Sequence, residues 1–362
     1  MRSMTRPLAV IVFAVLSLLP LASIVGNWLW PWPHPDSMPR VSVVPLPDRV
    51  SLDVLNEFEQ WFVDRIRRHL PLLAVNAAYR IGLLRRSTES RVVIGRDGWL
   101  FWTDEGDAPA SMANFRGRLR FSGDEMRSFD RNLIAMHDEL AACGIHALVA
   151  IAPNKQSIYG EFLSRSQPQP QSALDDLLPR LDPRARAVML DLRAPLRAVK
   201  ARDPGLPLYY KTDSHWNGLG AFYAYRAIMA ALAKAMPDAN LQIASLDQFA
   251  IKVEPFRRGD LAYMLSAPSW FADTAVRLYP KIETASSPDA PRLLMTGDSF
   301  LDELTAYFLP DFSKIYFEKW GLEPIAPVAG EAKPSAVVIE VAERYLPGLV
   351  TLSVDWSRFC TH

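Results

Sequence analysis

The sequence predicts an α/β protein, a mainly parallel β-sheet with helices on both faces (a three-layer α/β/α arrangement), preceded by one N-terminal transmembrane helix. Three observations carry that expectation. Short apolar runs alternate with segments of helical periodicity along the chain, and strands buried on both faces need helical crossovers between them. Leu8 to Val25 is a run of 18 almost continuously apolar residues, about the minimum for crossing a bilayer core as a helix. The composition, 49% hydrophobic with 40 basic against 40 acidic side chains, fits neither a disordered chain nor a nucleic-acid binder, so no nucleic-acid partner is expected.

At the N-terminus no full charge occurs from Pro7 to Pro35, Arg2 and Arg6 precede the apolar run, and the next basic residue is Arg40. The positive-inside rule then leaves the N-terminus in the cytoplasm and exports the body, with Trp28, Trp30 and Trp32 at headgroup level. A cleaved signal peptide is the alternative; no clear Ala-x-Ala site follows the run, and either reading exports the body. Residues 31–47 are rich in proline and should form an extended, semi-rigid tether. Residues 1–47 are therefore expected as anchor and tether and 48–362 as one domain. That domain is nearly neutral and has no global field to steer polyanions. Cys143 and Cys360 are too few for a disulfide scaffold and lack metal-ligand spacing, so no metal is expected and their pairing stays open.

Within the body, Ser51 is a plausible N-cap for a helix running to Pro71, with Leu55, Phe58, Phe62 and Ile66 as its apolar stripe. Residues 91–95 and 98–101 flank an Arg-Asp-Gly turn, which reads as a β-hairpin. Ser122 to Glu125 matches a capping box, and Met126, Phe129, Leu133, Met136 and Leu140 recur at helical intervals before Gly144. A buried strand over Ala147 to Ile151 leads into Pro153, Asn154 and Lys155, and Ser164 to Ser172 has surface-loop composition. Further strands are expected at Val188 to Leu192, Leu293 to Thr296, Ile315 to Phe317 and Ala336 to Val341, with helices at Gly218 to Met236 and Phe300 to Leu309. In such sheets ligands bind beyond the carboxyl ends of the strands.

Two segments carry candidate chemistry. In Leu293-Leu-Met-Thr-Gly-Asp-Ser299 an apolar strand stops at Gly297 and a helix follows Ser299. The hydroxyl thus falls at a strand-to-helix corner beside unpaired first-turn N–H groups, which suit an oxyanion. Asp298 is expected to cap that helix. The second segment is Tyr209-Tyr-Lys-Thr-Asp213-Ser-His215-Trp-Asn217, just before an amphipathic helix. His215 alone among the histidines has a carboxylate two residues away in a segment of turn and cap composition. Asp213 can accept from one ring nitrogen and leave the other as a general base for Ser299. Hydroxyl, imidazole and carboxylate in these roles are the parts of acyl transfer.

Thr212-Asp-Ser-His-Trp-Asn217 and Gly297-Asp-Ser-Phe300, in that order behind an N-terminal anchor, resemble the AlgJ/AlgX family of alginate O-acetyltransferases. These are SGNH-hydrolase-like proteins of bacterial exopolysaccharide acetylation. Val92-Val-Ile-Gly-Arg-Asp-Gly-Trp-Leu-Phe101, Ala152-Pro-Asn-Lys-Gln-Ser-Ile-Tyr159 and Val338-Ile-Glu-Val-Ala-Glu-Arg-Tyr-Leu346 agree with it. The Asp-x-His-Trp block comes before the Gly-Asp-Ser block instead of after it, as in ordinary SGNH esterases. The resemblance implies an SGNH-hydrolase-like fold in which Asp213 orients His215, His215 activates Ser299, and Ser299 carries the acetyl group to a sugar hydroxyl.

It also implies a membrane-bound O-acyltransferase partner as acetyl supplier, no cofactor, and a single-pass inner-membrane protein with its catalytic domain in the periplasm. The chain ends soon after Tyr345, without room for the carbohydrate-binding module of AlgX-like members, so the AlgJ arrangement is expected. An acetyl esterase with the same triad, or a non-catalytic polysaccharide-modification subunit, are the alternative functions. Lys155 and Asn154 are candidates to donate to an acyl oxygen or sugar, with a salt bridge and a turn as ordinary roles. Trp216, Tyr209 and Tyr210 are candidates to stack on sugar rings or simply to be buried. Arg344 is a further binding candidate, or an ion-pair partner of Glu340 or Glu343.

Overall fold

The computed structural model describes residues 76–84, 86–103, 111–163, 172–257, 259–283, 286–319 and 332–360. The expected anchor and tether, the helix from Ser51 to Pro71, and residues 164–171 of the expected surface loop lie outside the described residues. Among the described residues no helix is long and apolar enough to cross a membrane. The chain divides into two compact units, Met1–Thr88 with Leu265–Ala267, and Glu89–Met264 with Pro268–His362. In the first, a π-helical segment covers Ala78–Leu83, and the Thr88 hydroxyl donates to the Leu265 carbonyl at 2.9 Å.

Strands β1 (Val92–Ile94) and β2 (Leu100–Trp102) form the expected antiparallel hairpin, with Ile94 opposite Leu100. The turn needs left-handed backbone at Asp97 (φ 55°) and Gly98 (φ 79°), which Asp-Gly supplies at little cost. Helix α1 (Gly123–Ala141) starts at the Ser122/Glu125 capping box and buries Met126, Phe129, Leu133, Met136 and Leu140. Five parallel strands form the central sheet: β3 (His146–Ala152), β4 (Met189–Asp191), β7 (Arg292–Gly297), β8 (Lys314–Lys319) and β9 (Ala336–Ala342), in the order β4-β3-β9-β7-β8. The last strand in the chain therefore inserts between β3 and β7.

The alternation of side chains across these strands builds two cores. Leu148, Ala150 and Ala152 of β3, Met295 of β7 and Val338 of β9 pack with α4 (Arg193–Arg202) and α5 (Gly218–Ala235). Val149, Ile151, Leu294, Val337 and Ile339 pack on the other side with α1, α3 (Ala173–Arg180), Trp356 and Phe359. Each large side chain so buried contributes about 1.5–3 kcal/mol. The result is the α/β/α layering expected from the sequence, around a wholly parallel sheet.

Three features differ from or add to the sequence-based expectation. After Ser299 the chain forms two 3-10 turns, Ser299–Glu303 and Thr305–Phe308, in place of a regular helix. Their buried Phe300, Leu301, Leu304 and Phe308 make a stripe compatible with either form, and 3-10 bonding is common in short pieces. A separate antiparallel pair, β5 (Phe249–Phe256) and β6 (Asp273–Pro280), has no counterpart among the expected elements. Finally, Cys143 just beyond α1 and Cys360 form a disulfide, which settles the pairing left open above.

Candidate active site

Because β9 lies between β3 and β7, the carboxyl ends of three adjacent strands bring together Asn154, Ser299 and Arg344, just beyond Ala152, Gly297 and Ala342. This is the edge at which open parallel sheets bind ligands. Ser299 opens its 3-10 turn, and the Asp298 side chain caps that turn by accepting from the Phe300 amide at 3.0 Å. The other Asp298 oxygen accepts from the Ala342 amide at 2.9 Å, tying the corner to β9. Gly297 is required there, since a Cβ would lie 2.6 Å from the Glu340 carbonyl.

The loop carrying His215 reaches this corner from outside the sheet. Tyr209 and Trp216 form an isolated antiparallel bridge, and the Asn217 side chain caps α5 by accepting from the Leu219 and Gly220 amides. The Tyr209 hydroxyl donates to the Pro153 carbonyl at 2.6 Å, and the Trp216 indole donates to the Phe300 carbonyl at 3.0 Å. The loop is thus fastened to the ends of both β3 and β7.

These fastenings align a relay. The Ser299 hydroxyl lies 2.6 Å from His215 Nε2, and His215 Nδ1 lies 2.6 Å from Asp213 Oδ1. Asp213 also accepts from the His215 and Asp260 amides, both at 3.0 Å. A carboxylate that accepts these bonds sets the tautomer: Nδ1 carries the proton and donates to Asp213, so Nε2 can accept from Ser299. Burial pushes the Asp213 carboxyl up, but its hydrogen bond with His215, that residue's charge and the two amides outweigh it and hold the group below its ordinary value. For His215 burial works against the charged form, yet the hydrogen bond to Asp213 and the charges of Asp213 and Asp260 raise its pKa above the ordinary value, with Arg344 opposing.

Three of the expected binding residues are corrected to framework. Lys155 is buried, and its ammonium donates to the carbonyls of Tyr210 (3.1 Å), Lys211 (3.0 Å) and Asp213 (2.5 Å). Its donors are spent on shaping the loop. Burial lowers its pKa to about 8 against the charges of Asp260, Asp213 and Asp273. Trp216 is 0% exposed and so cannot stack on a sugar. Tyr210 is buried with its ring against Phe256 and its hydroxyl on Glu303. Tyr209 is equally enclosed.

Arg344 and Asn154 remain in a different state. The Arg344 guanidinium lies 5.1 Å from the Phe300 ring centre and 4.9 Å from that of Tyr345, and donates to Asn154 Oδ1 at 3.4 Å. The ion pair given as its alternative role is absent among the described residues: Glu343 faces Arg193 at 3.8 Å, and Glu340 accepts from the Asp298 amide at 3.1 Å. Asn154 Nδ2 is buried without a hydrogen-bond partner among the described residues, a state that costs free energy unless a ligand or water fills it. Sequence reasoning missed Asp260 and Asp273, whose carboxylates accept from Ser214 and from Thr212. No local pattern marks either one; only the fold brings them to the loop.

A serine, a histidine and an aspartate within hydrogen-bond reach at the carboxyl edge of a parallel α/β sheet are an arrangement that SGNH-hydrolase-like proteins share with other α/β folds. The family model for the SGNH-hydrolase-like domain of the acetyltransferase AlgX matches residues 92–306, a span that includes all three residues. This chain belongs to that family. It is 28% identical over 306 residues to the probable alginate O-acetylase AlgJ of Pseudomonas aeruginosa, with 73% of each chain covered. To the protein of the same description from Pseudomonas syringae pv. tomato it is 30% identical over 292 residues, covering 71% of this chain and 69% of the relative. Among solved structures, Bacillus cereus PatB1 with a sulfonyl adduct superposes with a TM-score of 0.51 at 13% identity, covering 73% of this chain and 97% of that one; this likeness concerns the fold.

Proposed function

We propose that this protein is an O-acetyltransferase that moves an acetyl group through an acetyl-serine at Ser299 onto hydroxyls of an extracytoplasmic polysaccharide. The observation that carries the reading is the continuous relay from Asp213 through His215 to Ser299, with 2.6 Å at each step. His215 Nε2 takes the hydroxyl proton as Ser299 Oγ attacks the acetyl carbonyl, and returns it to the departing group of the donor. The acetyl-serine is then attacked by a sugar hydroxyl. His215 accepts that proton and gives it back to Ser299 Oγ as the ester bond breaks. Asp213 steadies the imidazolium in both halves. The Ser299 backbone N–H, at the first position of its turn, and the Asn154 amide with Arg344 are the donors for the carbonyl oxygen or the acceptor sugar.

A membrane-bound O-acyltransferase partner supplying the acetyl group, and anchoring in the inner membrane by residues 8–25 with the catalytic domain in the periplasm, complete the proposal. Support comes from the N-terminal sequence and from the Cys143–Cys360 disulfide, a bond favoured in oxidising compartments.

The test uses purified protein and an activated acetyl ester. Acetyl-Ser299 should be detected by mass spectrometry in the wild type and be absent in Ser299→Ala. His215→Ala should abolish acylation, and Asp213→Ala should slow it by roughly 10³–10⁴-fold. With an oligosaccharide acceptor present, acetylated sugar supports transfer, whereas free acetate as the main product assigns an acetyl esterase. Failure of the wild type to acylate returns the protein to a non-catalytic role.

A further inference from the structure

Asp260 stands 45 positions beyond His215 in sequence, at the start of the short helix α6 (Asp260–Met264), yet it makes more contacts to the His215 loop than capping a five-residue helix would call for. Its Oδ1 accepts from the Ser214 amide at 2.8 Å, and its Oδ2 accepts from the Ser214 hydroxyl at 2.5 Å. Its own amide donates to Asp213 Oδ2 at 3.0 Å, the oxygen that His215 does not use. The Ser214 hydroxyl in turn lies 3.3 Å from His215 Nδ1, and Asp260 Oδ2 lies 4.0 Å from the same nitrogen. Gly259 allows this approach, since a Cβ there would lie 2.3 Å from both the carbonyl and hydroxyl oxygens of Thr212.

We propose that Asp260 is a positioning residue for the His215–Asp213 pair, a second carboxylate that holds the loop in register through Ser214 and Asp213 and places a second negative charge beside the imidazole. This rests on the proposed use of His215 as the base. The sense of its electrostatic action follows from the neighbours. Asp213 and Asp260 both favour the imidazolium and Arg344 opposes it. Asp260 is itself raised by burial and by Asp213, with His215, the Ser214 hydroxyl and Lys155 acting the other way. At 4.0 Å a carboxylate supports an imidazolium more strongly than any group on this loop except Asp213. That support matters when His215 holds the serine or sugar proton.

Asp260→Asn keeps an oxygen acceptor for the Ser214 amide, removes the charge, and puts an amide donor where Oδ2 accepted from the Ser214 hydroxyl. The expected result has two parts. An NMR titration of His215 in full-length protein should show its pKa fall by about one unit. The acid limb of Ser299 acylation by an activated acetyl ester should move to lower pH by the same amount, with the plateau rate down about three- to tenfold. An unchanged His215 pKa, or a wild-type plateau rate, overturns the proposal. Should the thermal melt show that Asp260→Asn does not fold, Asp260→Ser is read in the same way. The NMR readout needs no activity, so it separates failure of this inference from failure of the acetyl-serine reading, which is judged on wild type against Ser299→Ala.

Discussion

Glu340 lies in the middle of β9 with 1% of its surface exposed, and among the described residues its Oε1 has no hydrogen-bond partner. Burial, and then the negative charge of Asp298, push its carboxyl well above the ordinary range, which favours the neutral acid beneath the corner that presents Ser299. The linkage sign follows. Above the unfolded glutamate pKa the folded chain holds a proton that the unfolded chain has lost, so this residue makes stability fall as pH rises. Glu340→Gln copies the neutral acid. Thermal melts between pH 5 and pH 8 should show a flatter pH dependence for the variant, with equal or higher stability at pH 8. An identical slope in both proteins would show that Glu340 is ionised in the fold.

At the scale of elements, the loop from Tyr209 to Trp216 is an irregular segment held from several directions. Lys155 reaches from helix α2 (Lys155–Tyr159), while Asp260 and Asp273 arrive from α6 and β6. Irregular buried backbone needs partners for its carbonyls, and one ammonium supplies three of them. Lys155→Met fills similar space and supplies none. It should cost about 1–3 kcal/mol, lower the melting temperature, and reduce the acylation rate by displacing Asp213. A direct substrate-binding role for Lys155 predicts the opposite pattern, a raised KM with an unchanged melt.

For the whole unit, the sheet order makes β9 the piece that joins β7, the strand leading to Ser299, to β3. The Cys143–Cys360 bond then fastens the chain beyond β9 to the end of α1, across 217 positions of sequence. A cross-link over so long a loop restricts the unfolded chain heavily, and about 2–4 kcal/mol of stabilisation is typical. Reduction, or the Cys143→Ser/Cys360→Ser variant, should lower the melting temperature by several degrees and leave acylation by folded protein near the wild-type rate. An unchanged melt would count against the bond as a structural element.

The sequence by itself determined the alternating strand and helix pattern, the Ser122 cap, the Asp-Gly hairpin and the two segments bearing Asp213, His215 and Ser299, because each rests on local periodicity or on neighbouring residues. Asp298 as the cap of the turn that begins at Ser299 was legible for the same reason. The β5–β6 pair was not legible: Ile251 and Val253 of β5 are exposed, so its side chains do not follow the buried-exposed alternation by which a half-buried strand is read. Only the tertiary structure decided that β9 lies between β3 and β7, that Lys155, Tyr210 and Trp216 are enclosed, and that Asp260 reaches His215. Burial and long-range charge depend on which distant segments share a surface, and that is a property of topology that no local window of sequence contains.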